Sequence, residues 1–115
     1  MEIQIVTDKL PKEQVLALAQ DTFGDMVKVV VDIDKKILAI GGELHADAEA
    51  VLLDSGSKQK NVWGANIFPG RPQGEQVEFT SLINIRPKQG NTQTLIQNPA
   101  IQQQVAAVIT ERLAL

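Results

Sequence analysis

The chain has 115 residues, of which 43% are hydrophobic and 22% are charged, and its formal net charge at pH 7 is −3. The length favours one compact domain over residues 1–115, and the negative charge argues against nucleic acid as a partner, since phosphate binding needs a basic face. The chain contains no cysteine, which excludes disulfides and thiolate metal sites.

The first segment of the chain, MEIQIVTDKLPKE, lacks the basic start and the apolar run of a signal peptide. No stretch of the sequence approaches the ~20 apolar residues of a membrane span. The sequence therefore predicts a complete, cytoplasmic protein that does not enter a membrane. Residues 2–6 alternate as a short strand does. Because an exposed sheet edge invites pairing, this strand is where we expect contact with a second copy in a homodimer.

A helix and a β-hairpin are predicted next. Pro11 suits the first turn of a helix because its missing N–H has no helical partner there, and Gly24 suits the end of that helix. Residues 27–40 alternate in two runs that are joined by a turn without glycine, which predicts a hairpin with a loop longer than two residues. Val30 interrupts the polar side and indicates a central strand that is covered on both faces.

The second half of the chain adds a helix, two strands and a final helix. Apolar residues at helical spacing predict a helix from about Ala46 to Asp54. The segments NVWGANIFP and QVEFTSLINIRP alternate as two further strands. Asn98 is a good N-cap and Pro99 a good first residue of the last helix. The order β-α-β-β-α-β-β-α, with helices on a mostly antiparallel sheet, predicts a single-domain α+β fold.

The only histidine lies in the segment GGELHADAE, among three acidic side chains. On a helix, His45 and Glu49 share one face and Asp47 points away. His45 and Glu49 are thus candidates for an acid–base pair or for ligands of one metal ion, and Glu43 could join them from the preceding loop. The alternative is a plain helix start whose acids favour the helix dipole. A closed zinc site is disfavoured by the lack of N and S ligands, whereas carboxylates could hold Mg²⁺ or Mn²⁺.

A second polar stretch, INIRPKQGN, follows the last predicted strand. Arg86 ends that strand beside Asn84, and Lys88 and Asn91 follow in a loop with Gly90. A guanidinium fork, an amide and a glycine-exposed backbone suit an anion or a carboxylate. The alternative is a solvated strand end that is followed by a turn.

We expect the two stretches to form one patch, because a half-buried acidic cluster with an imidazole needs a cationic partner. The preferred hypothesis is a binding domain for a small polar or anionic ligand or for a protein partner. The alternative is a small hydrolase-like or metal-dependent enzyme in which His45 is the general base or a ligand, and a purely structural network is the third possibility. No cofactor, metal or activity is named by the sequence. The candidate catalytic residues are His45 and Glu49, and the candidate ligand-binding residues are Glu43, Asp47, Arg86, Lys88 and Asn91.

Three segments, GGELHADAE, WGANIFP and INIRPKQGN, also carry a resemblance. Within residues 23–91 they resemble a family of small prokaryotic proteins, seen in cyanobacteria among others and filed as a domain of unknown function. The resemblance implies an identity but no activity, cofactor or site. The chain departs from such sequences at the hairpin turn, which often carries glycine and here reads Asp34-Lys35-Lys36.

Overall fold

Strands and helices follow one another in the predicted order in the computed structural model, which describes residues 2–115. The predicted α+β class and the order β-α-β-β-α-β-β-α are confirmed. The elements are β1 (Ile3–Val6), α1 (Lys12–Asp21), β2 (Val27–Asp32), β3 (Ile37–Gly41), α2 (His45–Asp54), β4 (Val62–Ile67), β5 (Val77–Glu78) and α3 (Pro99–Arg112).

The strands form one antiparallel sheet in the order β1-β3-β2-β4-β5. β2 lies in the middle of the sheet, and its residues Val29, Val30 and Val31 are all 0% exposed. The two-sided coverage that Val30 indicated is therefore confirmed. β1 is an edge strand of this sheet, as the homodimer hypothesis requires, but pairing with a second copy stays a prediction.

Helices cover the two faces of the sheet unequally. One face packs against α1 and α3 in the larger core, which joins Val29 and Val31 to Val105 and Ile109. The other face packs against α2, in a smaller core that joins Val30, Ala39 and Val62 to Ala48 and Leu52, with Ile83 packed beside it. Since burial of a Leu side chain contributes about 1.5–3 kcal/mol, Leu52 is the main apolar anchor of α2. Polar contacts also hold α2, through His45 at its start and Glu49 near its middle.

The hairpin turn between β2 and β3 forms without glycine. Lys36 takes a left-handed conformation with φ of 58°, and it is the only non-glycine residue with positive φ in residues 2–115. Asp32 supports this turn, because its Oδ1 accepts the N–H groups of Asp34 and Lys35, both at 2.9 Å. The loop spans residues 33–36, so the predicted length above two residues is confirmed.

The segment QVEFTSLINIRP predicts a long last strand, and this prediction is wrong beyond Glu78, where β5 ends. From Ser81 onward the chain turns, since the Ser81 hydroxyl accepts the N–H of Ile83 and starts a short 3-10 helix at Leu82–Asn84. A serine that bonds its own neighbouring backbone competes with ladder pairing in this way. Arg86 therefore does not end a strand but precedes a second 3-10 helix, Pro87–Gln89.

Candidate functional site

The outer edge of β4 is completed by side chains where β5 stops. The N–H of Gly64 donates to Oδ1 of Asn84 at 2.8 Å, and Nδ2 of Asn84 donates back to the Gly64 carbonyl at 3.0 Å. Two residues earlier on β4, the carbonyl of Val62 accepts from Nη2 of Arg86. The Asn84 amide and the Arg86 guanidinium thus replace a neighbouring strand. The buried backbone groups of β4 are therefore hydrogen-bonded even though β5 is short.

Arg86 also ties α2 to this edge through a largely buried ion pair. Its Nη2 lies 3.3 Å from Oε2 of Glu49, and the two side chains are only 10% and 14% exposed. The guanidinium further donates to the carbonyls of Gln59 at 2.6 Å and Ile83 at 3.0 Å, so four of its five N–H groups are used within the protein. Burial raises the pKa of Glu49, and the charge of Arg86 opposes that rise.

Asn91 is likewise engaged by the protein itself. It is 3% exposed, and its Nδ2 lies at 2.8–3.0 Å from the carbonyls of Asn84, Gln93 and Leu95. Its Oδ1 accepts the N–H of Gln97 at 2.8 Å. These contacts fold residues 84–97 into a closed loop, and they favour a structural role for this predicted ligand-binding residue.

The other predicted binding residues lie apart from this network. Glu43 and Asp47 line a small depression with Ile3, which does not include Glu49 or Arg86. Lys88 lies in a separate depression with Gln59 and Arg86. The structure thus brings together one part of the expected patch, Glu49 and Arg86, with Lys88 nearby. Glu43 and Asp47 lie elsewhere. Their roles in binding stay predictions.

His45 lies at a different cavity, which we call the His45 cleft, with a volume of about 410 Å³. The cleft opens between the start of α2, the end of β4 and residues 80–83. His45 and Ser81, 7% and 5% exposed, form its floor, and Leu44 and Leu82, 58% and 78% exposed, form its rim. The remaining residues that line it are Lys28, Ala46, Asn66, Thr80, Ile83 and Thr94.

The His45 imidazole is held in one orientation by a strand backbone. Its Nε2 lies 2.8 Å from the Ala65 carbonyl, and because a carbonyl only accepts, Nε2 carries the proton and Nδ1 is left as an acceptor. Burial lowers the pKa of His45, and the charge of Lys28 lowers it further, while the hydrogen bond to the Ala65 carbonyl and the nearby amide of Asn66 oppose the lowering. The imidazole is therefore neutral at pH 7. In the described part of the chain, Glu49 contacts Arg86 and not His45, so the two candidate catalytic residues do not form an acid–base pair.

Asn66 supplies an unused polar atom in the same cleft. Its Nδ2 lies 3.5 Å from the Thr80 carbonyl, and Oδ1 is the other terminal atom of the amide. This oxygen is buried and has no hydrogen-bond partner among residues 2–115. A buried polar group without a partner is uncommon in proteins and costs about 1–3 kcal/mol. Asn66 also stands directly opposite Lys28 in the ladder between β4 and β2.

Sequence reasoning found His45 but missed most of the cleft. Lys28 and Asn66 carry no local signal, because only the pairing of β2 with β4 makes them neighbours. Leu82 does carry a local signal, since it interrupts the polar side of the predicted last strand. An apolar residue in that position is expected either to be covered or to belong to a binding surface.

Comparison with known proteins places the chain in a family. The model of a family described as "Protein of unknown function (DUF5674)" matches residues 4–112. The chain belongs to the DUF5674 family. No curated protein and no solved structure matches the chain. The resemblance to a family of unknown function is confirmed by this match, while the prokaryotic origin that it implied stays a prediction.

Across residues 2–115, no helix combines the length and the apolar character that crossing a membrane requires. Within the same residues, no group of three or more His, Asp or Glu side chains is placed to hold a metal ion.

We expect the stability of the protein to fall as the pH drops below about 6.5, through His45. Its folded pKa lies below the value of 6.5 for an exposed imidazole, so the unfolded chain binds more protons in the window beneath 6.5. The contribution of the neutral imidazole to stability is complete above pH 6.5 and is lost as the pH falls toward the pKa of His45 in the folded protein. Urea unfolding at about pH 7.5 and about pH 5.5 measures this loss relative to His45→Gln.

The variant His45→Gln removes this group and leaves Glu49, whose raised pKa acts equally in both proteins. The wild type should therefore lose stability relative to the variant on going to the lower pH. A stability difference that stays the same at both pH values would contradict a buried, neutral imidazole.

The structure leaves no space for a side chain at Gly64. A Cβ at this position would lie 2.5 Å from Cβ of Ser81 and 3.2 Å from Cδ2 of His45, so the floor of the cleft would have to move. We expect Gly64→Ala to lower the free energy of unfolding by about 1–3 kcal/mol, as overpacking does. Gly70→Ala is the matched control, since nothing lies within 4 Å of its added Cβ. Equal denaturation midpoints for the two variants would contradict the close contact.

Proposed function

We propose that this protein is a small-ligand-binding domain and that its ligand occupies the His45 cleft. The observation that carries the proposal is Oδ1 of Asn66, a buried acceptor that finds no donor in the described residues, at a cavity of about 410 Å³. Ligand sites are typically concave, mostly apolar and about 300–1,000 Å³ in volume, with a few polar groups that orient the ligand. Because the terminal torsion of asparagine is soft, a small rotation presents this oxygen to a ligand donor.

The chemistry around the cleft supports binding over catalysis. The floor offers the Nδ1 acceptor of a neutral His45 and the hydroxyl of Ser81, while the rim offers the exposed apolar side chains of Leu44 and Leu82. A perturbed pKa in a cleft is typical of functional sites. The enzyme hypothesis has less support, because the carboxylate of Glu49 serves Arg86 at 3.3 Å.

This proposal keeps the preferred hypothesis of the sequence and changes its residues. His45 remains at the centre, whereas Glu49, Arg86 and Asn91 belong to the network that holds the cleft wall. A cytoplasmic location and pairing of β1 with a second copy remain predictions beside it.

The dye anilinonaphthalene sulfonate tests the proposal, since it combines aromatic rings, an N–H group and an anion. We expect the wild type to bind it saturably, with a rise in fluorescence. Ala46 lines the cleft, so Ala46→Trp should fill the space and weaken binding about tenfold or more, a loss of ~1.4 kcal/mol.

Ala50→Trp is the matched control, because Ala50 is also exposed on α2 but lies one turn further along, beyond the cleft. This variant should bind the dye as the wild type does. Circular dichroism checks that both variants keep the fold. If the two variants bind the dye equally well, the His45 cleft is not the binding site and the proposal fails.

A further inference from the structure

We infer that the ligand of the His45 cleft is an N-acylated apolar α-amino acid, either free or as the carboxyl-terminal residue of a peptide. This inference rests on the proposed function and goes beyond it by naming the ligand class. Three properties of the cleft lead to it: one cationic group, one acceptor beside that group, and an apolar rim.

The cationic group is the ammonium of Lys28. Among the ten described residues that line the cleft, Lys28 is the only one with a permanent charge, and none is acidic. The ammonium lies 5.3 Å from the centre of the Phe23 ring, a cation–π contact that leaves its positive charge in place. A protein with a net charge of −3 thus places one positive charge, and no negative one, among the residues that line this cavity, which favours an anionic ligand.

The acceptor is Oδ1 of Asn66, which calls for an N–H or O–H group on the ligand. Lys28 and Asn66 are directly opposite partners in the ladder between β2 and β4, and their side chains leave the same face. The Cβ atoms of such partners are about 4.5–5.5 Å apart. A ligand that engages both residues carries an anionic group and a donor, as an α-amino acid does in its carboxylate and its nitrogen.

The donor must also be uncharged. A free amino group carries a positive charge at neutral pH and would be repelled by the ammonium of Lys28, whereas an acylated nitrogen is a neutral N–H donor. The acyl carbonyl then needs a donor of its own. Ser81 can supply one, because its Oγ accepts the N–H of Ile83 at 3.2 Å and its own proton remains to be donated.

The rim accounts for an apolar side chain on the ligand. Leu44 and Leu82 are 58% and 78% exposed at the mouth of the cleft, and the partly buried Ile83 lines it between them and the smaller core. A branched aliphatic side chain would cover part of this surface, at about 25 cal/mol for each Å² removed from water.

Displacement of anilinonaphthalene sulfonate by N-acetyl-leucine tests the inference. We expect N-acetyl-leucine to displace the dye, and three analogues to be weaker by about tenfold or more, since each leaves a group of the cleft unpaired. Isocaproate lacks the N–H group, N-acetyl-leucinamide lacks the negative charge, and leucine carries a positive charge on its nitrogen.

Two variants connect these preferences to residues. Lys28→Gln should abolish the preference for N-acetyl-leucine over its amide, and Asn66→Ala should abolish the preference over isocaproate. Lys58→Gln, in an exposed loop outside the cleft, is the matched control and should change neither. An acetylated tetrapeptide that ends in leucine distinguishes the two sources. Binding tighter by about tenfold identifies a peptide end, and equal binding identifies the free acyl amino acid.

The outcomes separate the two proposals. If Ala46→Trp blocks the dye but N-acetyl-leucine and the tetrapeptide fail to displace it, the ligand class is wrong and the binding function stands. The same holds if the three analogues displace the dye as well as N-acetyl-leucine does. If the dye does not bind in the cleft and direct titration of N-acetyl-leucine moves no amide resonance of residues 80–83, both proposals are overturned.

Discussion

Asn84→Ala is expected to lower the free energy of unfolding by about 3–5 kcal/mol, because it strips the outer edge of β4 of its partner. Asn84 is 0% exposed, and its amide bonds the N–H and the carbonyl of Gly64 and the carbonyl of Thr94. An unpaired buried backbone group costs about 1–3 kcal/mol, so two or three such groups together reach the expected loss. Urea unfolding monitored by circular dichroism measures the change.

Asn98→Ala is the matched control for this experiment. Asn98 is exposed, and its Oδ1 accepts the N–H of Ala100 at 2.8 Å as the N-cap of α3. The same chemical change should cost about 1 kcal/mol there. If Asn84→Ala costs no more than Asn98→Ala, the amide does not replace a strand at the edge of β4.

Arg86→Met should cost a similar amount, about 3–5 kcal/mol, since it removes one partner of a buried ion pair and leaves the other uncompensated. The carboxylate of Glu49 would lose its cation, and the carbonyls of Gln59, Val62 and Ile83 would lose their donors. Adding Glu49→Gln to Arg86→Met should recover part of the loss, because the amide carries no charge to bury. Chemical denaturation of the two single variants and the double variant gives the coupling energy.

Arg71→Met provides the comparison for Arg86. Arg71 pairs with Glu78 at 3.5 Å, but the two side chains are 45% and 48% exposed. Solvent screens such a pair, and the Phe68 ring beneath the guanidinium adds little, so the loss should stay below about 1 kcal/mol. Similar losses for Arg71→Met and Arg86→Met would mean that burial does not determine how much the Arg86–Glu49 pair contributes to the free energy of unfolding.

These two contacts also connect stability to the cleft. Asn84 and Arg86 fasten residues 80–86 to β4, and the same segment carries Ser81, Leu82 and Ile83, which line the His45 cleft. The candidate ligand-binding role of Arg86 is therefore better understood as support of the site. The physical reason is that a guanidinium with four of its N–H groups already bonded has little left to offer a ligand.

The sequence by itself determined the elements whose signals are local. The cap and first residue of α3, Asn98 and Pro99, were predicted from propensities that act within a few residues. The hairpin and the central position of β2 followed from alternation and from Val30, because burial of one or both faces imposes its period on the residues.

Only the tertiary structure decided where polar residues find their partners. Alternation in QVEFTSLINIRP cannot distinguish a strand from a strand followed by 3-10 turns, since the choice depends on whether Ser81 bonds its own neighbour or a ladder. The partner of Glu49 depends on how α2 packs beside the loop that carries Arg86, 37 positions later in the chain. The opposition of Lys28 and Asn66, which are 38 positions apart, depends on sheet register. The His45 cleft exists through such contacts, because a concave site is made by distant segments and no single one of them carries its shape.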